Sequence, residues 1–494
     1  MNIYLILQMA ADAMPDRVAV SNGAQQMTYA ELAQSARQLA AATPNHHRIG
    51  FLDESNISAP VALFASALRG VPYVPMNYRL AQDQIEALLA RITPATLLTD
   101  KEISSEGISV MRHKEIESLS DYFDADAPDI EGLIAIELFT SGTTGEPKSA
   151  ILRHDNLMSY ILGTVEFMSA EEDEATLLSV PPYHIAGISA ILSSSYAGRR
   201  MVQLPSFSPQ AWLDLASQEK VTQAFIVPTM LQRIIEHADK HGLPDLSNLR
   251  ALAYGGGKMP LSVIERAMEL MPQVNFTNAY GLTETSSTIA LLDPDDHREA
   301  FAAQDLKIRA RLASVGRPLP TIELEIRDEN NAICPPDVAG DVYVRGEQVS
   351  GEYHGTGSLL DEQGWFPTRD RGYLDSGGYL FLDGRADDVI VRGGENISPG
   401  EVEDVLITHA QVKDVAVLAI ADEEWGEAVG AVIVAQDETH PPSIEELCAL
   451  VKDKLRSSRV PSRIIFKQEL PYNETGKLLR RLLRTEFETA QDGA

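Results

Sequence analysis

Apolar strand-like runs alternate with helix-period segments through the first third of the chain. Arg48 to Leu52 precedes Ala59 to Arg69, and Tyr73 to Pro75 precedes Asp83 to Arg91. Each such element must bury one face against a neighbour, so the alternation restricts the chain to layered α/β architecture. Thr28 with Glu31 three residues on reads as a capping box opening a helix that carries Leu32, Ala36 and Leu39. From about Ile322 to Arg345 the pattern changes to short β-branched runs broken by Asn330, Asn331, Pro335, Pro336 and Gly340, a β-rich subdomain that continues from Gly351 to Leu382. After Gly384 a glycine-rich loop at Gly393 and Gly394 leads to a helix near Pro399, strands at Val415 to Ile420 and Ala428 to Val434, and a helix from Ile444 to Leu455. That last stretch reads as a separate small α+β domain.

A chain of 494 residues, 44% of them apolar, is too long for one core and rich enough to bury several. The expected architecture is α/β. A large N-terminal domain of two α/β layered subdomains plus the β-rich one covers residues 1–384, and a small α+β C-terminal domain covers residues 389–494. The longest apolar runs, Ile3 to Leu7 and Val415 to Ile420, fall far short of the roughly 20 residues of a membrane-spanning helix, so no membrane span is expected. The first residues carry no basic segment or cleavage pattern, and the two cysteines, Cys334 and Cys448, lack ligand-like spacing; the cytoplasm is the expected compartment. With 41 Lys plus Arg against 72 Asp plus Glu, the net charge of -31 repels nucleic acid, so none is expected as a partner. An anionic substrate must then be met by a local basic cluster.

One segment has the composition of such a site. In Leu138-Phe139-Thr140-Ser141-Gly142-Thr143-Thr144-Gly145-Glu146-Pro147-Lys148 an apolar run empties into hydroxyl-bearing residues and glycines and ends on a lysine. Glycines let backbone N–H groups approach phosphate oxygens, hydroxyls donate further bonds, and Lys148 adds a mobile positive charge. The Gly-Lys-Ser/Thr ending of a Walker loop is absent.

This segment resembles the signature of the adenylate-forming (AMP-binding) superfamily, in its branch of acyl-CoA synthetases and fatty-acid- or aryl-acid-CoA ligases. Further blocks follow in the family's order: Pro181 to Gly187, Asn278 to Thr285, Thr368 to Tyr373, Gly384 to Asp388 running to Glu403, and Asn473-Glu474-Thr475-Gly476-Lys477. The resemblance covers essentially the whole chain and implies ATP, Mg²⁺ and coenzyme A as the small molecules used.

The resemblance implies roles residue by residue. Thr140, Ser141, Gly142, Thr143, Thr144, Gly145 and Lys148 hold the phosphates of ATP. Tyr280 offers a flat face for adenine, with Asn278, Gly281, Gly255, Gly256 and Gly257 beside it. Thr283 supplies a hydroxyl for the α-phosphate and Glu284 a hard oxygen for Mg²⁺, a cation that takes one or two carboxylates beside the phosphates. Asp370 accepts the ribose hydroxyls, and Arg385 reaches the ribose or phosphate. Residues 385–388 form the hinge of a mobile C-terminal domain, with Asp387 absorbing the dihedral change. That domain carries Lys477, the catalytic lysine, and the loop of Arg392, Gly393 and Gly394, which shapes the coenzyme A tunnel. Ser149, Tyr472 and Arg459 depart from the family's usual residues, which bears on the coenzyme A phosphate contacts.

The implied reaction has two halves: a carboxylate and Mg-ATP give an acyl-adenylate and pyrophosphate, then a thiol displaces AMP. Lys477 stabilises charge on the transferring phosphate. His184 gates an acyl pocket lined by Ile185, Gly187, Phe225, Ile226, Val227, Tyr254 and Gly281, which favours a hydrophobic monocarboxylic acid. Lys258 keeps a dicarboxylate or hydroxyaryl acid open, and a stand-alone adenylating enzyme that loads an acyl carrier protein instead of coenzyme A is a second reading. A catalytically silent nucleotide-binding homologue is the reading from a different class, and a homodimer also stays open.

Overall fold

The structure, a computed structural model, describes residues 1–140, 148–422, 424–473 and 478–489. The chain divides into two compact units, Met1–Glu323 with Val344–Phe366, and Leu324–Tyr343 with Pro367–Ala494. Among the described residues, no helix is long and apolar enough to cross a membrane.

The first unit holds a nine-stranded and an eight-stranded sheet. In the former, Asn275–Leu282, Ala251–Gly255, Gln223–Ile226, Ala175–Leu178 and Arg200–Gln203 lie side by side and parallel. Parallel neighbours need crossover connections, and the helices Ile185–Ala197, Pro209–Gln218, Pro228–His241 and Leu261–Leu270 supply them. Trp212, Leu231, Ile234 and Ile264 from these helices pack on the sheet with Ile226 and Tyr254. In the eight-stranded sheet, Ile134–Thr140, Tyr73–Pro75, Arg48–Phe51, Ala95–Leu98 and Ile108–Met111 are parallel, and Lys148–Arg153 pairs antiparallel with Ile134–Thr140.

One continuous core joins the two sheets through helices. It takes Val20 and Met201 from one sheet, Ile49, Phe51 and Ile136 from the other, and Leu32, Ala36 and Leu39 from the helix Tyr29–Ala42. The expected capping box starts that helix: Thr28 Oγ1 accepts from the Glu31 backbone N–H at 3.2 Å, and Glu31 Oε2 from the Thr28 N–H at 2.8 Å. Helix Ser58–Arg69 is buried from Ser58 through Leu68, which explains why its small and apolar residues run all round rather than along one stripe. Gly70 ends it at φ 74°, a left-handed conformation that glycine takes without steric cost.

The second unit contains most of a four-stranded sheet, Glu323–Arg327, Gly340–Arg345, Phe366–Leu374 and Leu380–Arg385, and a five-stranded sheet built around the long pair Val412–Asp422 and Gly426–Ala435. Alternate residues of that pair face different layers. Val415, Val417, Val429, Ala431 and Ile433 pack with Val402, Leu406, Leu447 and Val451, whereas Ala416, Leu418, Ile420, Val432 and Val434 pack with Leu483 and Phe487. Strands covered on both sides read as continuous apolar runs, and these do.

The segment from Gly351 onward differs from the sequence expectation. Glu352–Tyr353 and Gly357–Ser358 join the eight-stranded sheet of the first unit, where Glu352 pairs with Ile151 and Tyr353 with Ala150. Arg153 fixes this return by donating to Glu352 from Nε at 2.8 Å and Nη2 at 2.9 Å, a bidentate geometry that specifies register as well as charge.

Candidate functional site

Two of the sequence blocks and two further predicted site segments follow the carboxyl ends of four adjacent parallel strands. The block Pro181 to Gly187 follows Ala175–Leu178, Val227 follows Gln223–Ile226, Gly256 to Lys258 follow Ala251–Gly255, and Thr283 and Glu284 follow Asn275–Leu282. The register keeps these ends level, with Phe225 opposite Leu178, Ile226 opposite Tyr254 and Gly255 opposite Ala279. Carboxyl ends of parallel strands are where open α/β sheets bind ligands.

The turn that presents Thr283 and Glu284 is held from several sides. Thr285 Oγ1 accepts from the Leu282 N–H at 2.9 Å, and Gln348 Nε2 donates to the carbonyls of Thr285 and Thr288 at 3.0 and 2.8 Å. Ser286 and Ser287 sit at φ 57° and 122°, conformations uncommon for side-chain-bearing residues that persist when surroundings over-determine them. Tight backbone approach explains two neighbouring glycines. A Cβ on Gly281 would lie 1.9 Å from Ser287 O, and one on Gly255 would lie 2.2 Å from Ala279 O.

Thr140 and Lys148 lie opposite each other at the stem of a hairpin. Of the phosphate-loop residues predicted between them, Ser141, Gly142, Thr143, Thr144 and Gly145 lie outside the described residues, as does Lys477. The Lys148 ammonium sits 5.9 Å from the ring centroid of Tyr353, and the Tyr353 hydroxyl donates to Glu284 Oε1. The structure thus brings Lys148 and Glu284, 136 positions apart in the chain (284 minus 148), to the ring and the hydroxyl of one tyrosine side chain. Sequence reasoning missed Tyr353, since a lone aromatic in a short polar segment carries no signal of its own.

His184 caps the helix Ile185–Ala197 at φ -114°, its ring 4.6 Å from that of Tyr183, which meets Tyr78 edge-on. Its Nε2 is buried without a hydrogen-bond partner among the described residues, and burial lowers its pKa to about 4. The imidazole is therefore neutral near pH 7. Gly187 is buried, and a Cβ there would lie 2.6 Å from Pro181 O, so close helix–loop packing requires the glycine. Ile185 and Phe225 are partly exposed, while Ile226, Val227 and Tyr254 are buried in the helix-covered core. The Tyr254 hydroxyl lies 2.8 Å from His297 Nε2, and His297 Nδ1 lies 2.8 Å from Asp293 O. Asn278 is likewise tied internally, donating to Ser314 O at 3.0 Å, while Tyr280 is buried and Gly256, Gly257 and Lys258 are exposed.

In the second unit, Asp370 and Arg385 are register partners, and the guanidinium meets the buried Asp370 carboxylate at 2.8 Å. Asp387 lies in the short turn Ala386–Asp388, 4.0 Å from Arg369. Gly393 and Gly394, at φ 57° and 83°, turn the hairpin between Ile390–Arg392 and Glu395–Ile397, the two positive-φ positions that a tight hairpin turn demands. Trp425, another residue the sequence reading missed, covers this turn: the Arg392 guanidinium lies 5.7 Å from its ring, and a Cβ on Gly393 would fall 2.6 Å from it. The departures from the family pattern have local partners. Arg459 pairs with Glu395 and Glu401, and the Tyr472 hydroxyl bonds Asp414 at 3.1 Å; the buried Ser149 hydroxyl has no partner among the described residues.

The model of the AMP-binding enzyme family matches residues 7–354, and that of the AMP-binding enzyme C-terminal domain matches residues 401–477. The chain belongs to the AMP-binding enzyme family. This AMP-binding enzyme is 31% identical over 491 residues to a 2-succinylbenzoate–CoA ligase of Bacillus licheniformis, covering 97% of this chain and 98% of that one. It is similar to the solved o-succinylbenzoate CoA synthetase of Bacillus subtilis in complex with its acyl-adenylate intermediate, with 28% identity, 97% of each chain covered and a TM-score of 0.83. It is also similar to an amide bond synthetase of Marinactinospora thermotolerans, with 27% identity, coverage of 98% and 99%, and a TM-score of 0.84. The AMP-binding enzyme is an acid–thiol ligase of the AMP-forming kind, and ATP, Mg²⁺ and coenzyme A are its small molecules. Glu284 fits the metal. One carboxylate oxygen is held by Tyr353, and the other carries no hydrogen bond among the described residues, a hard oxygen of the type Mg²⁺ takes beside phosphates.

Proposed function

We propose that this enzyme activates an aromatic carboxylic acid of the 2-succinylbenzoate type as an acyl-adenylate and passes the acyl group to coenzyme A in the cytoplasm. The observation that carries the chemistry is the meeting of Lys148 and Glu284 on Tyr353, with Glu284 in one of four predicted site segments at the carboxyl ends of adjacent parallel strands. A substrate carboxylate oxygen attacks the α-phosphorus of ATP, the bond to the β-phosphate oxygen breaks, and pyrophosphate leaves. Coenzyme A sulfur then attacks the acyl carbon and AMP leaves. Mg²⁺, when bound, neutralises charge on the phosphate oxygens.

Within this reading, Lys148 and Thr283 hold phosphate oxygens, and neutral His184 orients the carboxylate without adding a charge. Asp370 takes the ribose, and Lys477 stabilises the leaving charge. Asp387 acts as the hinge between the two half-reactions, and Arg392, Gly393 and Gly394 serve the coenzyme A step. The substrate class is supported by relatives named as 2-succinylbenzoate–CoA ligases along their full length. Lys258, exposed at the end of Ala251–Gly255, supplies a cation for a second carboxylate, so the dicarboxylic alternative is preferred to a plain hydrophobic monocarboxylic acid. The two cysteines, both free thiols, are in keeping with a reducing compartment.

The test is a panel of aliphatic, aromatic and dicarboxylic acids scored for AMP release with and without coenzyme A. Coenzyme A-dependent AMP release peaking at 2-succinylbenzoate is expected. AMP release with amines or a carrier protein, and none with coenzyme A, would reassign the acceptor, while no pyrophosphate release with any acid would leave a nucleotide-binding protein without this chemistry.

A further inference from the structure

We infer that Tyr353 is a positioning residue for adenylation, its hydroxyl orienting the Glu284 carboxylate and its ring seating the Lys148 ammonium. The inference rests on the adenylation reading above. A glutamate on a turn has three side-chain torsions to fix before it can present one oxygen in a set direction. The Tyr353 hydroxyl engages Oε1 and leaves Oε2 as the oxygen without a hydrogen bond among the described residues. Hydrogen-bonded partners behind a carboxylate ligand set its orientation and basicity in this way. The same ring lies 5.9 Å from Lys148 Nζ, within the range where a π-face attracts an ammonium. One side chain therefore limits the freedom of both a metal ligand and a phosphate ligand.

The support under Tyr353 is rigid enough for that task. Its backbone pairs with Ala150, Arg153 clamps Glu352 with two bonds, and the Ser350 and Gly351 N–H groups both donate to Glu284 O at 2.9 and 3.0 Å. The strand that carries Tyr353 is thus anchored both to the Lys148 strand and to the backbone of Glu284 itself. A residue that merely packed in this strand would need neither the hydroxyl contact nor the ring beneath the lysine.

Full-length Tyr353→Phe, which keeps the ring and removes the hydroxyl, is the decisive variant, with Tyr353→Leu removing both. Two measurements are compared with wild type: the Mg²⁺ dependence of ATP–pyrophosphate exchange, and ATP binding by calorimetry with and without Mg²⁺. For Tyr353→Phe we expect the Mg²⁺ concentration for half-maximal exchange to rise about tenfold, the lower end of outer-shell effects on metal affinity. Its KM for the acid should stay within about twofold and its metal-free ATP binding should be unchanged. Tyr353→Leu should also weaken ATP binding without metal. An unaltered Mg²⁺ requirement in Tyr353→Phe, with only a lower Tm, would reduce Tyr353 to a packing role and overturn the inference. If wild type exchanges pyrophosphate with no acid, the adenylation reading fails on its own, and the calorimetric comparison in Mg²⁺ still decides whether Tyr353 orients Glu284.

Discussion

Burial of an Nε2 that has no hydrogen-bond partner among the described residues sets the charge of His184. Its pKa falls from the usual 6.5 to about 4, because burial strips hydration from a charged imidazole. Between about pH 4 and 6.5 the unfolded chain therefore binds more protons at this site than the folded one, so the contribution to stability is complete above pH 6.5 and is lost as pH falls through 4. The His184 Hε1 resonance should stay at its neutral position down to about pH 5 and begin to titrate only below it. A midpoint near pH 6.5 would show a solvated ring. Tyr254 makes a second residue-scale case. Tyr254→Phe should cost about 1–3 kcal/mol in urea denaturation, because buried His297 Nε2 loses its hydrogen bond. The pair was not legible in the sequence, where Tyr254 reads as a pocket residue and nothing singles out His297.

Strand-to-strand approach governs the elements of the site. Gly255→Ala would place a Cβ 2.2 Å from Ala279 O, which the paired strands can relieve only by separating. Overpacking of this kind costs about 1–3 kcal/mol, so the denaturation midpoint should fall, and an unchanged midpoint would mean that the strands can part freely at this point. At Thr28 the cost is local: Thr28→Ala removes one half of a capping box and should cost about 1 kcal/mol. Elements with local signals were readable in advance. The capping box, Pro399 at the first position of Pro399–Leu406 and the Gly393-Gly394 turn all mark boundaries through short-range chemistry. The return of Glu352–Tyr353 to the eight-stranded sheet was not readable, because its determinants are Arg153 and Ala150, some 200 positions away (352 minus 153 is 199).

At the scale of the whole molecule, the proposed division of labour predicts separable half-reactions. Lys477→Ala should lower ATP–pyrophosphate exchange by about 100-fold or more, the scale for losing a preorganised charge in a transition state, while thioester formation from a supplied acyl-adenylate and coenzyme A persists. Equal loss of both steps would contradict that division. The α/β class, the separate C-terminal region and the motif residues themselves followed from the sequence alone, because composition, periodicity and signature blocks are properties of contiguous chain. Tertiary structure alone decided which of those residues meet. The helix-covered core claims Val227 and Tyr254, Ser314 engages Asn278, and Tyr353 gathers Lys148 over its ring and Glu284 at its hydroxyl. Contacts between residues far apart along the chain depend on strand register and packing, and local patterning does not encode either.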